Sequence, residues 1–411
     1  MKRFISILII ALLVYSCGDD NNDFLVPTDD AQDGDAVNNT GRIPCQGGFA
    51  DIFPCDGYDL MSRITLEEFG SSGGNDSWGW TDSATGVEYA IMGLEEGTAF
   101  IDISNPINPV FVGRLPSVSG SSLWRDIKVF NNHAFIVSEA SGHGMQVFDL
   151  TRLRNSTDDI QVFNADAVYT AFGNAHNIVI NEDTGFAYAV GTQTFDGGPH
   201  FVNIQDPTNP IAAGGFADGT YTHDAQVVTY SGPDPDYQGS EIFIGSNETE
   251  IVIIDVTDKD SPSIISQIAY QNVGYTHQGW FTDDQRFFIA NDELDEMGFG
   301  FNTRTLIFNF EDLDNPSFQN TFMGPTEAID HNLYVNGNEL FLSNYTAGVR
   351  IADISQIATD NVFDIGFFDT YPEGNTTSFN GVWNVYPFFE SGNIIISDLD
   401  RGFFIIRRTG T

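Results

Sequence analysis

The same short phrase closes an apolar run seven times along the 411-residue chain. It reads "AFIDISNPINP", "QVFDLTRL", "HFVNIQDPTNP", "VIIDVTDKDSP", "LIFNFEDLDNP", "VRIADISQI" and "GFFIIRR", anchored on Asp102, Asp149, Asn203, Asp255, Asn309, Asp353 and Arg407. Successive anchors lie 44 to 54 residues apart, a period that fixes the architecture before any single residue is considered. Each unit holds three alternating apolar runs and a short fourth, such as "VFVGRLP" at 110–116, with turn chemistry ("NNH", "NEDTG", "VNGN", "ESGN") between the first two. Four short strands at this period define a β-propeller blade, whereas solenoid repeats are usually shorter and need capped ends. The expected fold is all-β: a seven-bladed β-propeller with four-stranded blades over residues 44–411. The last unit stops at "GFFIIRRTGT" without a fourth run, while an unclaimed run, "YDLMSRITLEEF" at 58–69, precedes the first unit. That N-terminal strand is expected to close the last blade and with it the ring.

Equivalent positions of a repeat become neighbours in a ring, so the heads of the first runs carry the functional argument. They read "WRDIKV" at Arg125 and Asp126, "AHNIVI" at His176, "THDAQV" at His223 and Asp224, "THQGWF" at His277, "DHNLYV" at His331 and "VWNVYP" at Trp383. First strands line the propeller axis, and these heads should form a ring around one mouth of the channel. Second strands run antiparallel and end on the same face, bringing Glu139, Asp292, Glu293 and Asp398 toward it.

Two chemistries suit such a mouth. Imidazole and carboxylate together suit zinc or manganese, and carboxylates alone suit calcium, which makes His176, His223, His277, His331, Glu139, Asp292, Glu293 and Asp398 the candidate metal ligands. Alternatively the same histidines close a structural hydrogen-bond belt with Thr222, Thr276, Asn177 and Asn332. Arg125, Asp126, His176, His223, Asp224, His277, His331 and Trp383 are the candidate ligand-binding residues under either chemistry. No catalytic residue is assigned: the chain holds no G-x-S-x-G, H-E-x-x-H or phosphate loop. The acids of "NDELDEMGFGFNTRT" are read as ligands or a solvated hairpin tip. Asp234 and Asp236 are read as loop residues with calcium as the sharper alternative, and His133, His143 and His200 as turn or packing residues.

Sixteen basic residues against fifty-eight acidic ones give a net charge of −42, which repels phosphate backbones and excludes nucleic acid as a partner. "MKRFISILIIALLVYSCGDD" resembles a bacterial lipoprotein signal with Cys17 as the lipidation site, over residues 1–17, and the acidic stretch 18–43 reads as a flexible tether. The resemblance implies an exported outer-membrane lipoprotein exposed at the cell surface, touching membrane through its lipid alone. Cys45 and Cys55, an even pair closing a short loop in an exported chain, are expected to form a disulfide.

The Asp-Ile-Ser-x-Pro phrases resemble LVIVD repeats. "SSLWRDIKVFNNHAFIVSEASGHGMQVFDL", "GPDPDYQGSEIFIGSNE", "GYTHQGWFTDD", "NDELDE", "DHNLYV" and "FDTYPE" resemble the choice-of-anchor B proteins, from about Cys45 to Arg408. That family implies a surface or secreted propeller and transfers no activity. The expected function is a surface-tethered, monomeric binding module for a protein, glycan or small ligand; the alternative is a metal-dependent hydrolase or oxidoreductase with its site at the channel mouth.

Overall fold

The structure is a computed structural model that describes residues 41–155, 159–217 and 219–411. The expected signal segment, Cys17 and the tether up to residue 40 lie outside the described residues.

Seven antiparallel sheets follow one another along the chain, spanning residues 74–116, 125–169, 177–215, 224–268, 276–323, 333–368 and 382–408. We number them blades 1 to 7. The anchor residues sit at or near the ends of the third strands, and the reason the phrase repeats is local. In blades 1 to 6 the anchor's side-chain oxygen accepts the backbone N–H two residues on: Asp102 from Ser104, Asp149 from Thr151, Asn203 from Gln205, Asp255 from Thr257, Asn309 from Glu311 and Asp353 from Ser355. Each is an Asx turn that bends the chain from the third strand toward the fourth. The apolar residue after the anchor (Ile103, Leu150, Ile204, Val256, Phe310 and Ile354) is buried in every case.

Ring closure is visible in the core. Among the described residues the apolar side chains gather into seven clusters, each lying between two adjacent sheets. Phe100 of blade 1, for example, stacks on Phe148 of blade 2 at 4.5 Å between centroids. An open row of seven sheets has only six such interfaces, and the seventh, between blades 7 and 1, holds Ile395, Phe403 and Ile405 against Ala90, Met92 and Ile101. Blade 7 takes its outer strand from the N-terminal side, as the sequence predicts: Tyr58–Ile64 pairs antiparallel with Gly402–Arg408, from Tyr58 opposite Arg408 to Ile64 opposite Phe403.

The segment before that strand does something the repeat does not announce. Phe53–Asp56 pairs with the outer strand of blade 6, Cys55 opposite Phe368, and the Cys45–Cys55 disulfide sits on this patch. Residues 53–64 therefore cover the edge of blade 6 and complete blade 7, tying those two blades together.

Replacing the Asx-turn acceptor in one blade tests the local argument. Asp255→Ala is expected to cost about 1 kcal/mol in urea unfolding, while Asp255→Asn stays close to wild type, because asparagine already does this work at positions 203 and 309.

Candidate functional site

The innermost strands carry their heads to one mouth of the channel. His176, His223 and His331 stand just before the inner strands Asn177–Asn181, Asp224–Thr229 and Leu333–Asn336, and His277 is the second residue of Thr276–Phe281. The rings pack tilted against one another around the mouth, centroid to centroid: His176 to His223 at 4.1 Å, His223 to His277 at 4.4 Å, His277 to His331 at 4.4 Å and His331 to Trp383 at 4.5 Å. With Trp124 and Arg125 they line a small cup.

Three of the four imidazoles are held by Nδ1. His223 Nδ1 meets the carbonyl of His277 at 3.2 Å and His331 Nδ1 that of Trp383 at 2.5 Å, while His176 Nδ1 meets Glu139 Oε1 at 2.5 Å. His277 faces the His331 carbonyl in the same way, but its Nδ1 has no close partner. A carbonyl can only accept, so these contacts place the proton of His223 and His331 on Nδ1 and leave a lone pair on Nε2. A carboxylate stands beside two of the rings: Glu293 lies 3.9 Å from His277 Nε2 through one oxygen and 3.9 Å from His331 Nε2 through the other. The Tyr345 hydroxyl fixes Glu293, donating to Oε1 at 2.8 Å.

The protonation pattern follows from burial and neighbours. Burial, together with the other rings, holds His223 and His277 well below the usual imidazole range, and burial pushes His331 down to about 3. His176 is also pushed down by burial, but the adjacent Glu139 carboxylate outweighs this and raises it. Burial raises Glu293 to about 7 against the Tyr345 hydrogen bond. At neutral pH the mouth thus presents three neutral imidazoles and one His176–Glu139 pair. Single ligand atoms of His223, His277 and Glu293 all lie within 4.8 Å of one another, close enough to share one ion, and the Nδ1 contact of His223 gives that ring the outer support a ligating imidazole needs.

One layer deeper, the expected ligand-binding residues Asp126 and Asp224 belong to a different belt. The inner strand of each blade has no strand on its channel side, so its N–H groups need side-chain acceptors from the preceding blade. Asp76 accepts from Ile127 N, Asp126 from Ile178 N, Gln226 from Phe281 N and Gln278 from Leu333 N. Asn332 donates to Asn384, and Asn384 to Asp76. Lys128 sits inside this belt, 2.5 Å from Asp126 and 4.6 Å above the Trp78 ring. Further along the same strands Trp78, Trp280, Tyr334, Tyr386 and Phe388 pack on one another and fill the channel.

Asp292 and Asp398 are not brought to the ring. Asp292 accepts from Gly274 N, Tyr275 N, Leu294 N and the Tyr270 hydroxyl, and Asp398 from Asp400 N, Arg401 N and the Thr370 hydroxyl. Both fix loops. Arg125 does line the cup, yet it is 2% exposed, donates to the Leu94 carbonyl and to His143 Nε2, and has one amino group without a partner. Tyr345 and Tyr275, which pack on His331 and His223, escaped the sequence reading because an aromatic at a strand end looks like core.

Asp234 accepts from Asp236 N and Leu313 N and groups with Asp312 and Asp314, leaving Asp236 outside that group. The acids of the "NDELDE" segment are not a solvated tip: Asp295 and Glu296 are buried. His200 contacts the hydroxyls of Tyr169 and Thr194, and His133 the Asn131 carbonyl.

No family model and no curated protein matches the chain. Solved structures do. A protein from Lactobacillus plantarum aligns with TM-score 0.54 at 11% identity over 79% of this chain and 88% of its own. The β-propeller domain of Cps50 (Swd1) from Myceliophteria thermophila aligns with TM-score 0.55 at 10% identity over 85% of this chain and 98% of its own. At such identities the likeness shows the fold alone: the chain is a seven-bladed β-propeller.

His143 offers a pH test of this region. Its ring is fully buried beside Arg125, and burial and that guanidinium lower it to about 4. The folded protein keeps it neutral while the unfolded chain protonates it below about 6.5. Its contribution is present above that pH and is lost as pH falls toward 4, a loss of about 3 kcal/mol. His143→Gln is expected to flatten this limb of the stability curve, as read by urea unfolding between pH 7 and 4.

Proposed function

We propose that the protein is a surface-tethered β-propeller binding module of the choice-of-anchor B type, and that it takes its ligand at the histidine-lined mouth. The observation that carries the reading is the ring itself: four imidazoles and Trp383 from five successive blades meet at 4.1 to 4.5 Å. A pure hydrogen-bond belt uses every polar atom inward, whereas His277 and His331 direct Nε2 toward Glu293 without reaching hydrogen-bond distance. Arg125, with an unpartnered amino group, adds a cationic corner, and Trp124 and Trp383 supply apolar walls. Protein, glycan and small-molecule ligands remain the classes to screen; the charge of −42 disfavours nucleic acid.

A second reading, a metal-dependent hydrolase or oxidoreductase, is favoured by the convergence of His223, His277 and Glu293 within 4.8 Å, with His331 alongside. Imidazole donors suit zinc or manganese better than calcium, and such an ion would polarise a carbonyl or water bound beside it. In that chemistry the chain's own part is to hold His223 and His331 by their Nδ1 contacts and Glu293 beside them by the Tyr345 hydroxyl.

Two measurements test these readings. Full-length protein purified without chelator, titrated with Zn²⁺ and Mn²⁺, is expected to bind about one equivalent, and His277→Ala to weaken binding at least tenfold; a protein that takes up neither ion leaves the second reading without support. Ligand screens by tryptophan fluorescence are expected to give hits that His331→Ala and Trp383→Ala abolish, and hits indifferent to both variants would remove the mouth from the first reading. For the tether, Cys17→Ala is expected to move the protein from the membrane fraction to the soluble exported fraction, and retention in the membrane would refute lipidation at Cys17.

A further inference from the structure

One buried cation at the mouth has no counter-charge. Three arginines are buried among the described residues: Arg125, Arg304 and Arg401. Arg304 pairs with Asp295 and Arg401 with Glu373, as expected where fifty-eight acidic residues stand against sixteen basic ones. Arg125, the most deeply buried of the three at 2% exposure, pairs with no carboxylate. Its Nε donates to the Leu94 carbonyl at 3.1 Å and Nη1 to His143 Nε2 at 3.0 Å, both neutral acceptors, while Nη2 has no partner. His143 Nδ1 meets the Gly144 carbonyl at 3.0 Å, which places the ring proton there and leaves Nε2 free to accept. The Glu96 carboxylate acts on the guanidinium from outside ion-pair distance and is itself exposed, accepting from the hydroxyls of Ser71 and Ser72. Burial lowers Arg125 to about 10, so it stays charged at neutral pH.

A buried charge without an opposite charge is costly, and at Arg304 and Arg401 an acidic side chain meets that cost. At Arg125 the cup stands where the acid would be. Arg125 opens the inner strand Arg125–Phe130 and lines the cup, with Trp124 and Trp383 on the wall. The other cationic ring of the lining, His176, is already paired with Glu139. This vacancy narrows what fits. A guanidinium prefers planar oxyanions, and with Nε and Nη1 engaged a single amino group is left to meet one. Glu293 beside the rings and the chain's charge of −42 act against a second negative charge on the ligand. A carboxylate carries one charge, a phosphate group close to two at neutral pH, and the carboxylate is the better match.

We propose that the mouth receives a carboxylate group of its ligand on Arg125, which makes the ligand a small carboxylic acid or the C-terminal end of a peptide. The inference rests on the mouth being the ligand site and names the chemical class that site selects. Nε2 of His223 and of His331 carries a lone pair, so hydroxyl or amino donors elsewhere on the ligand suit the imidazole part of the ring.

The test uses the full chain and defined probes. Sodium acetate and sodium lactate represent free acids, and the tripeptide Gly-Gly-Ala with a free C-terminus represents a chain end. Acetamide, lactamide and the C-terminally amidated tripeptide are the uncharged counterparts. By calorimetry and tryptophan fluorescence at least one carboxylate is expected to bind wild-type protein, and its amide at least about tenfold more weakly. Tighter binding of the free acids identifies the small acid as the source, and tighter binding of the tripeptide the chain end. Arg125→Gln is expected to weaken the bound carboxylate at least about tenfold, with Arg125→Lys recovering part of the loss. Because Arg125 also holds Leu94 and His143, urea unfolding accompanies both variants, and the comparison of acid with amide on wild-type protein needs no substitution. Acid and amide binding equally, or no probe binding at all, would overturn the inference. Uncharged ligands lost in His331→Ala but kept in Arg125→Gln would leave the mouth as the ligand site and remove the carboxylate from it. Carboxylate binding indifferent to both His331→Ala and Trp383→Ala would instead sink the mouth reading, and this inference with it.

Discussion

The inner strand of every blade has one edge with no strand beside it. In an isolated sheet that edge faces water; in a closed ring it faces a channel too narrow to hydrate it fully, and each orphaned N–H there costs about 1–3 kcal/mol. The channel chemistry of this protein answers that constraint. Asp76, Asp126, Gln226 and Gln278 each accept an N–H from the following blade, so one blade's side chain completes the next blade's backbone. Acidic acceptors crowd as a result, and Lys128 is the counter-charge: burial pushes its ammonium down, but Asp126, Asp76 and Asp224 outweigh this and hold it above its ordinary value. Burial and the Asp126 charge in turn raise Asp224 to about 7.

The same blade-to-blade logic orders the histidines. A structural belt and a ligand site look like rival explanations of four equivalent imidazoles, yet they use different atoms of one ring. Nδ1 of His223 and His331 serves the neighbouring backbone carbonyl, as a belt requires. That contact settles the tautomer, and in His331 it leaves Nε2 3.9 Å from Glu293. Fixed rings with fixed tautomers lose little entropy when a ligand arrives, so the structural role prepares the binding role.

What the sequence disclosed is what the repeat multiplies. Seven anchors with one Asx-turn chemistry disclose the ring, and four histidines at one repeat position disclose their own adjacency across more than 150 residues of chain. What it concealed depends on direction within a unit. Asp292 and Glu293 are adjacent in sequence and both end a second strand, but successive side chains on a strand point to opposite sides. Glu293 therefore meets the imidazoles while Asp292 turns to Gly274 N and Tyr275 N. Asp126 and Asp224 fall one layer below the ring for a similar reason, one residue further along the strands that carry Arg125 and His223. The burial of Asp295 and Glu296 was hidden because an acidic, glycine-rich insertion reads as solvated until the short helix is seen to fold it inward. The patch of Phe53–Asp56 on blade 6 was hidden because it lies outside the repeat.

Net charge links these local observations. A chain with charge −42 repels itself, and folding concentrates several of its carboxylates where water cannot screen them. The structure meets this in three ways: donors at Asp292 and Asp398, basic side chains at Asp126, Asp82 and Glu241, and raised proton affinity where burial outweighs the donors, as at Asp330. The third is the weakest, because a proton cancels one charge and satisfies one oxygen, while a divalent ion cancels two and gathers several. At Glu293 and Glu296 burial instead raises the proton affinity.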